Sequence, residues 1–240
     1  MMLVDINRST VPEITTEQMI EVDRAMIEDY GITLIQMMEN AGRGLAMLSR
    51  HTLADDLNGK HIMVLAGSGG NGGGAMVAAR RLSTWGANVE VCVTRALSDY
   101  SGVPAHQLQI LQSMNIPVNN RLPDKSFQPE LILDGVLGYS LKGSPRGLAA
   151  ELITWAQQQE TSILSLDTPS GLDTTSGEAF EPGISATATL TLALPKIGLQ
   201  HPRVGTLYLA DISVPVDLYT KYLGTELPRL FGHSDIVRLI

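Results

Sequence analysis

Three apolar runs in this chain each stop at residues that can do chemistry. His61–Ala66 runs into Gly67-Ser68-Gly69-Gly70-Asn71-Gly72-Gly73-Gly74. Leu131–Leu133 ends on Asp134, followed by Gly135-Val136-Leu137-Gly138. Ile163–Leu166 ends on Asp167, followed by Thr168-Pro169-Ser170-Gly171. The glycine segment contains G-x-G-x-x-G at Gly67, Gly69 and Gly72. Without side chains the backbone can approach a phosphate, and a helix starting there supplies free N–H groups and a partial positive charge. The plainer alternative is a tight strand-to-helix turn with no ligand. No Lys-Ser or Lys-Thr follows, so the segment is not a P-loop. The acidic residue expected about 20 positions on has only Glu90 as a candidate, and Glu90 lies inside a strand pattern.

Asp134 and Asp167 are open to three readings: acid–base groups, ligands of a hard cation, or caps of the following turn. Ser170 adds a hydroxyl oxygen and Asn71 a side-chain carbonyl. Oxygen ligands of low total charge suit an alkali or alkaline-earth ion. Zinc is disfavoured, because the five histidines are scattered and the single cysteine, Cys92, lies within a strand pattern. A hydrolase triad is not expected, since there is no G-x-S-x-G and Ser170 follows a proline. Lys142 and Arg146 form either a solvated basic loop or a lid that meets substrate phosphate or ribose. Arg95, at the end of the strand pattern 88–94, is placed to meet a 2′-phosphate.

Such residues need a scaffold that brings strand ends together. Strands over 61–66, 88–94, 131–134 and 162–167 alternate with helices over 73–85, 103–114 and 147–158. That alternation predicts βαβ units and a mostly parallel, doubly wound sheet, with ligands outside the carboxyl ends of the strands. Two helices precede it. Thr15 with Gln18 reads as a capping box, and Thr33 with Gln36 opens the second helix. Met19, Val22 and Met26, then Met37, Ala41, Leu45 and Leu48, supply apolar stripes, and the methionines read as core filling. Runs 186–193 and 205–210 read as strands near a sheet edge. After Pro215 a short helix and an irregular tail are expected. Loops are short throughout, so residues 1–240 read as a single domain.

Composition narrows the function classes. Of 240 residues, 44% are hydrophobic and 18% charged, which excludes a disordered chain. With 17 Lys and Arg against 25 Asp and Glu, the net charge of −8 disfavours nucleic-acid and anionic-membrane binding. One cysteine cannot form an internal disulfide, which fits a reducing compartment. No apolar stretch reaches the roughly 18 residues of a membrane span, and the N-terminus lacks the layout of a signal peptide. A cytoplasmic protein is expected.

Five segments in order and register resemble a known family. They are Met37–Gly42 (MMENAG), the glycine segment ahead of Val77-Ala78-Ala79-Arg80, Leu133–Arg146 (LDGVLGYSLKGSPR), Ser165–Asp173 (SLDTPSGLD) and Leu194–Leu199 (LPKIGL). This is the pattern of the YjeF N-terminal domain, the domain of the NAD(P)H-hydrate epimerases, and the resemblance runs from about residue 14 to 215. It implies an α/β, three-layer α/β/α Rossmann-like fold, usually homodimeric. The implied reaction interconverts the R and S forms of hydrated NADH or NADPH, whose nicotinamide ring carries water. The hydrated dinucleotide is the substrate, and a potassium ion in each subunit is the implied cofactor.

The resemblance also implies roles for residues. Gly70, Asn71, Gly72, Gly73 and Gly74 contact substrate, as do Gly138, Tyr139, Ser140, Leu141, Lys142, Gly143, Ser144 and Asp167. Asn71, Asp134 and Ser170 hold the potassium ion. Asp134 and Asp167 are the candidates for proton transfer. The chain departs from the family where Gly70-Asn71-Gly72-Gly73-Gly74-Ala75 stands for the usual N-N-G-G-D-G. Two side-chain contacts are gone and a methyl is added, which opens an alternative: a weakened or inactive nucleotide-binding or scaffold module. In two-domain relatives a dehydratase domain follows, which implies a partnership with an NAD(P)H-hydrate dehydratase. The chain either acts alone or belongs to a longer protein.

Overall fold

The architecture comes from a computed structural model, which describes residues 3–124 and 127–240. The long apolar runs form the centre of one sheet. They are β2 (His61–Ala66), β3 (Asn88–Val93), β5 (Leu131–Gly135), β6 (Ser162–Leu166), β7 (Ala188–Leu192) and β8 (Thr206–Ala210). Three shorter strands complete it: β1 (Val4–Ile6), β4 (Val118–Asn119) and β9 (Ile236–Leu239). The order is β1-β9-β8-β7-β6-β5-β2-β3-β4. Among the described residues every neighbouring pair is parallel except β8 with β9. From β2 the chain passes to β3 on one side, then returns to place β5 on the other. The order therefore reverses between β2 and β5, where a doubly wound sheet opens a crevice.

Both faces of the central strands are buried, which is why their sequences run almost continuously apolar. Ile62, Val64, Leu131, Leu133, Leu164 and Leu166 point to one face. They pack under α1 (Thr16–Glu28), α2 (Leu34–Thr52), α3 (Gly70–Thr84) and α4 (Gly102–Ser113). Met63, Leu65, Cys92, Ile132 and Ile163 point to the other, against Leu152, Ile153 and Ala156 of α5 (Gly147–Gln157). The result is a three-layer α/β/α fold with two N-terminal helices. Burial pushes the Cys92 thiol up to about 12, so it is a packing residue. A last helix, α6 (Val216–Leu223), packs beside α1.

α1 starts as its sequence predicts. Gln18 N donates to Thr15 Oγ1 at 3.2 Å and Thr15 N donates to Gln18 Oε1 at 2.9 Å, the reciprocal bonds of a capping box.

Three expectations are corrected. The helix expected from residue 73 begins at Gly70, so the glycine segment forms the first turns of α3. Glycine costs about 1 kcal/mol against alanine inside a helix, and close approach explains its use. A Cβ on Gly72 would lie 1.8 Å from the Gly67 carbonyl oxygen, and one on Gly42 of α2 would lie 2.4 Å from that of Gly74. β7 and β8 are interior strands rather than near an edge, because β9 and β1 extend the sheet beyond them. The tail is accordingly not irregular: residues 236–239 pair with β8 on one side and β1 on the other.

Candidate active site at the sheet crevice

A cavity of about 640 Å³ opens beyond the carboxyl ends of β2, β5 and β6. Its walls come from the start of α3, the loop after β5, the residues just past β6 and β7, and side chains of α1 and α2. The two strand-end aspartates occupy different environments within this region.

Asp134 is fully buried and is not on the cavity wall. Its register partner across the sheet is Ser165, whose Oγ donates to Asp134 Oδ2 at 2.8 Å. Ser170 donates its backbone N–H to Oδ2 at 2.9 Å and its hydroxyl to Oδ1 at 2.6 Å. Val136 N donates to Oδ1 at 3.3 Å. Burial pushes the Asp134 carboxyl above the ordinary value, while these donors, Ser170 first, pull it back down. Four donors match the roughly four lone-pair positions of a carboxylate. This aspartate ties the ends of β5 and β6 together and has little capacity left to take a proton from a ligand.

Asp167 lies one residue past β6 with φ +65°, in the left-handed region that Asp tolerates better than most residues. It lines the cavity. Lys196, whose side chain is fully buried, donates from Nζ to Asp167 Oδ1 at 2.5 Å and to the Leu192 carbonyl at 2.9 Å. Thr191 Oγ1 adds a long contact to Oδ1 at 3.4 Å. Among the described residues Oδ2 of Asp167 accepts no hydrogen bond, so an oxygen remains for a ligand.

A third carboxylate reaches the cavity from α1. Asp23 is half-buried and accepts a 2.5 Å hydrogen bond from the Tyr139 hydroxyl at Oδ2. Burial raises the Asp23 carboxyl above its ordinary value, and the Tyr139 bond partly offsets this. Tyr139 is itself pushed well up, by burial first and the Asp23 charge second.

Asn71, in the first turn of α3, joins the strand ends. Its Nδ2 donates to the carbonyls of Leu137 and Leu166 at 2.9 Å each. Both acceptors fix the orientation of the amide. Its Oδ1 is then left buried with no hydrogen-bond partner. Ser170 Oγ approaches the same Leu137 carbonyl at 3.4 Å and accepts from Leu137 N at 2.9 Å. Asn71, Ser170 and Asp134 therefore share one small polar knot beside the cavity. No group of three or more His, Cys, Asp or Glu side chains suited to a metal exists among the described residues. Any ion here would rest on one carboxylate and neutral oxygens.

The other sequence candidates divide in the same way. Gly70, Asn71, Gly72, Gly138, Tyr139 and Ser140 line the cavity, as do Arg95 and Arg146. Gly73 and Gly74 lie beneath the wall. A Cβ on Gly73 would meet Met38 Sδ at 2.5 Å, and one on Gly74 would meet Leu166 Cδ2 at 2.8 Å. Leu141, Lys142, Gly143 and Ser144 are off the wall. Asp23 and Lys196 were not assigned roles from the sequence. The only signal for Asp23 was its polarity between the buried Val22 and Met26, and for Lys196 its place between apolar neighbours.

A Rossmann-like sheet with a ligand-sized cavity at its reversal point and carboxylates on the wall defines a class of small-molecule-binding α/β proteins. Within that class the chain belongs to the YjeF-related protein N-terminus family, whose model matches residues 34–198. It is 39% identical over 214 residues to the NAD(P)H-hydrate epimerase of Dehalogenimonas lykanthroporepellens, covering 88% of this chain and 86% of that protein. It is 34% identical over 218 residues to the bifunctional NAD(P)H-hydrate repair enzyme Nnr of Moorella thermoacetica, covering 85% of this chain and 41% of that protein. The crystal structure of yeast ynu0 (YNL200c) superposes with a TM-score of 0.81 at 25% identity, covering 95% of this chain and 100% of that one.

Proposed function

We propose that this protein is an NAD(P)H-hydrate epimerase, interconverting the R and S forms of hydrated NADH or NADPH. The observation that carries the reading is the Asp167–Lys196 pair on the wall of a cavity that begins at a helix N-terminus. The hydrated carbon bears a hydroxyl beside the ring nitrogen. A proton given to that hydroxyl lets it leave as water while the nitrogen lone pair supports the cation. Water added to the other face, losing a proton to a carboxylate, gives the opposite configuration with no redox change. Asp167, with Oδ2 unbonded, is the proton-transfer group of this reading. The N-terminal turn of α3 faces the diphosphate, and Arg95 and Arg146 supply cationic contacts. Of the residues that the family pattern assigns to substrate, Gly70–Gly72, Gly138–Ser140 and Asp167 lie on the cavity wall.

A potassium ion fits the knot beside the cavity, because the orphaned Oδ1 of Asn71 gains a partner there. Asn71 Oδ1 would meet it first, with Asp134 and Ser170 completing the set by giving up part of their mutual hydrogen bonding, and a bound cation would supply fixed positive charge near the substrate. The same reading takes residues 1–240 as one domain, a homodimer in the cytoplasm. It also places the protein beside a dehydratase that consumes one form of the hydrate, supported by the name of the bifunctional relative.

The second reading, a binding or scaffold module, draws on Gly70, Gly74 and Ala75 standing where the family carries Asn, Asp and Gly. One assay separates the two. The protein is mixed with racemic NADH hydrate and an S-specific dehydratase. Complete consumption is expected of an epimerase. A halt at the S fraction, no faster than spontaneous epimerisation, would sink the catalytic reading.

A further inference from the structure

The sequence points to Asp134 and Asp167 as the proton-transfer pair, yet Asp134 is fully buried, off the cavity wall and fully hydrogen-bonded. One acid–base role in the cavity is left without a group. We propose that Asp23, held by the Tyr139 hydroxyl on the wall contributed by α1, is the second acid–base group of the site and works with Asp167. This inference rests on the epimerase reading. Asp23 lies outside residues 34–198, the stretch the family model matches.

Four observations carry it. Asp23 lines the cavity together with Asp167, Lys196 and Tyr139. It belongs to a helix whose neighbouring positions Met19, Val22 and Met26 are buried, where a carboxylate is costly to hold. No Lys or Arg forms a salt bridge with it among the described residues, so ion pairing does not account for its place. And α1 is pinned to the segment that carries Lys196. Ile14 N donates to the Pro195 carbonyl at 2.9 Å and Ile197 N to the Ile14 carbonyl at 3.1 Å. Thr16 Oγ1 meets Thr174 Oγ1 at 2.8 Å. The position of Asp23 relative to the Asp167–Lys196 pair is therefore fixed by the chain.

The proton on Asp23 passes to the ring hydroxyl, the C–O bond breaks, water leaves, and the nitrogen lone pair forms a C=N bond. Water then attacks the other face, a new C–O bond forms, and its proton goes to Asp167. One water leaves and one enters. Exchange with solvent returns the proton, and the reverse reaction uses the two carboxylates in opposite roles.

The groups that face Asp23 are Tyr139 from the loop after β5, Asp167 and Lys196 beyond β6 and β7, and Tyr219 from α6. The test is the pH profile of kcat/KM on racemic NADH hydrate, with an S-specific dehydratase in excess, for the intact protein and two variants. Asp23→Asn is expected to lose at least about 100-fold in rate, to keep its melting temperature, and to lose one limb of the profile. Tyr139→Phe removes a bond that lowers the Asp23 carboxyl, so the limb belonging to Asp23 is expected to move to higher pH. Asp23→Asn at near-native rate overturns the proposal, and so does a slow Asp23→Asn that keeps both limbs. Should Asp23→Asn not fold, an unmoved profile in Tyr139→Phe overturns it. An intact protein no faster than spontaneous epimerisation removes the epimerase reading and this inference together. An active one with an indifferent Asp23 removes the inference alone.

Discussion

Asp134 and Asp167 each follow an apolar run, on neighbouring strands, and each is followed by a glycine or a proline turn within two residues. Their environments share little. At Asp134 the strand continues to Gly135, so the side chain keeps the alternation of the sheet and drops onto the face that also carries Ser165. At Asp167 the strand has ended, and the backbone turns into the left-handed region. The side chain leaves the alternation and reaches the cavity. One residue of strand length separates an aspartate that fastens two strands from one that faces the cavity. The carboxylate met by four neutral donors joins two strand ends, and the one held chiefly by a single cation keeps an oxygen without a hydrogen bond among the described residues.

That contrast can be broken or sharpened by experiment. The largest effect is expected for Lys196→Met, which leaves Asp167 buried without its cation. Breaking such a pair from one side costs about 3–5 kcal/mol, which a thermal melt reads as roughly 6–20 °C for a chain of this size. A melt within a degree of native would show that the pair contributes nothing. Asp167→Asn keeps an oxygen toward Lys196 and removes the carboxylate proposed to transfer the proton. Its epimerisation rate should fall at least about 100-fold, measured against its own folded fraction. Asp134→Asn should behave in the opposite sense. The amide turns an NH2 toward donors that already point inward, which costs about 1–3 kcal/mol, while the rate per folded molecule falls less than about tenfold. Native stability with no activity in Asp134→Asn would reverse the comparison.

Exchange of K⁺ for tetramethylammonium should lower the melting temperature by a few degrees, equivalent to at most about 2 kcal/mol through binding linkage. That dependence should vanish in Asp134→Asn and survive in Asp167→Asn; survival in both removes the ion from the knot. The smallest effect is expected at Gly70, where a Cβ meets nothing closer than Met38 Cε at 3.7 Å. Gly70→Asn therefore fits, and one added hydrogen bond to substrate would lower KM about fivefold. An unchanged KM would show that this position does not touch the ligand.

The βαβ order of the chain was legible because both periodicities are long there: apolar runs of five or six residues, then helical stripes. β1 and β9, with three and four residues, are too short for a pattern and exist because they pair with each other and with β8. The start of α3 ran against glycine's poor helix propensity, and only the contacts of Gly42, Gly67 and Gly72 explain it. The site was legible where it lies in strand-end motifs. Asp23 was not, since its partner Tyr139 is 116 positions away and nothing on α1 hints at it. Nor did the sequence distinguish Asp134 from Asp167, because the difference is a backbone angle and a lysine 29 positions downstream of Asp167.

The pairing of β1 with β9 also sets an order of events. Val4 lies beside Val237, and Arg238 holds Asp5 through two bonds across 233 positions. β1 is made 233 positions before its partner β9 and stays unpaired until β9 leaves the ribosome, a wait of roughly 10–50 s at typical synthesis rates. For roughly the last 1–5 s of that wait, after β8 (Thr206–Ala210) has been made and before β9 begins at Ile236, β8 is the open edge of the sheet, with unpaired backbone groups that invite pairing with another chain. A nascent neighbour or a holding chaperone that pairs there would sit within two residues of Ile212 on the cavity wall.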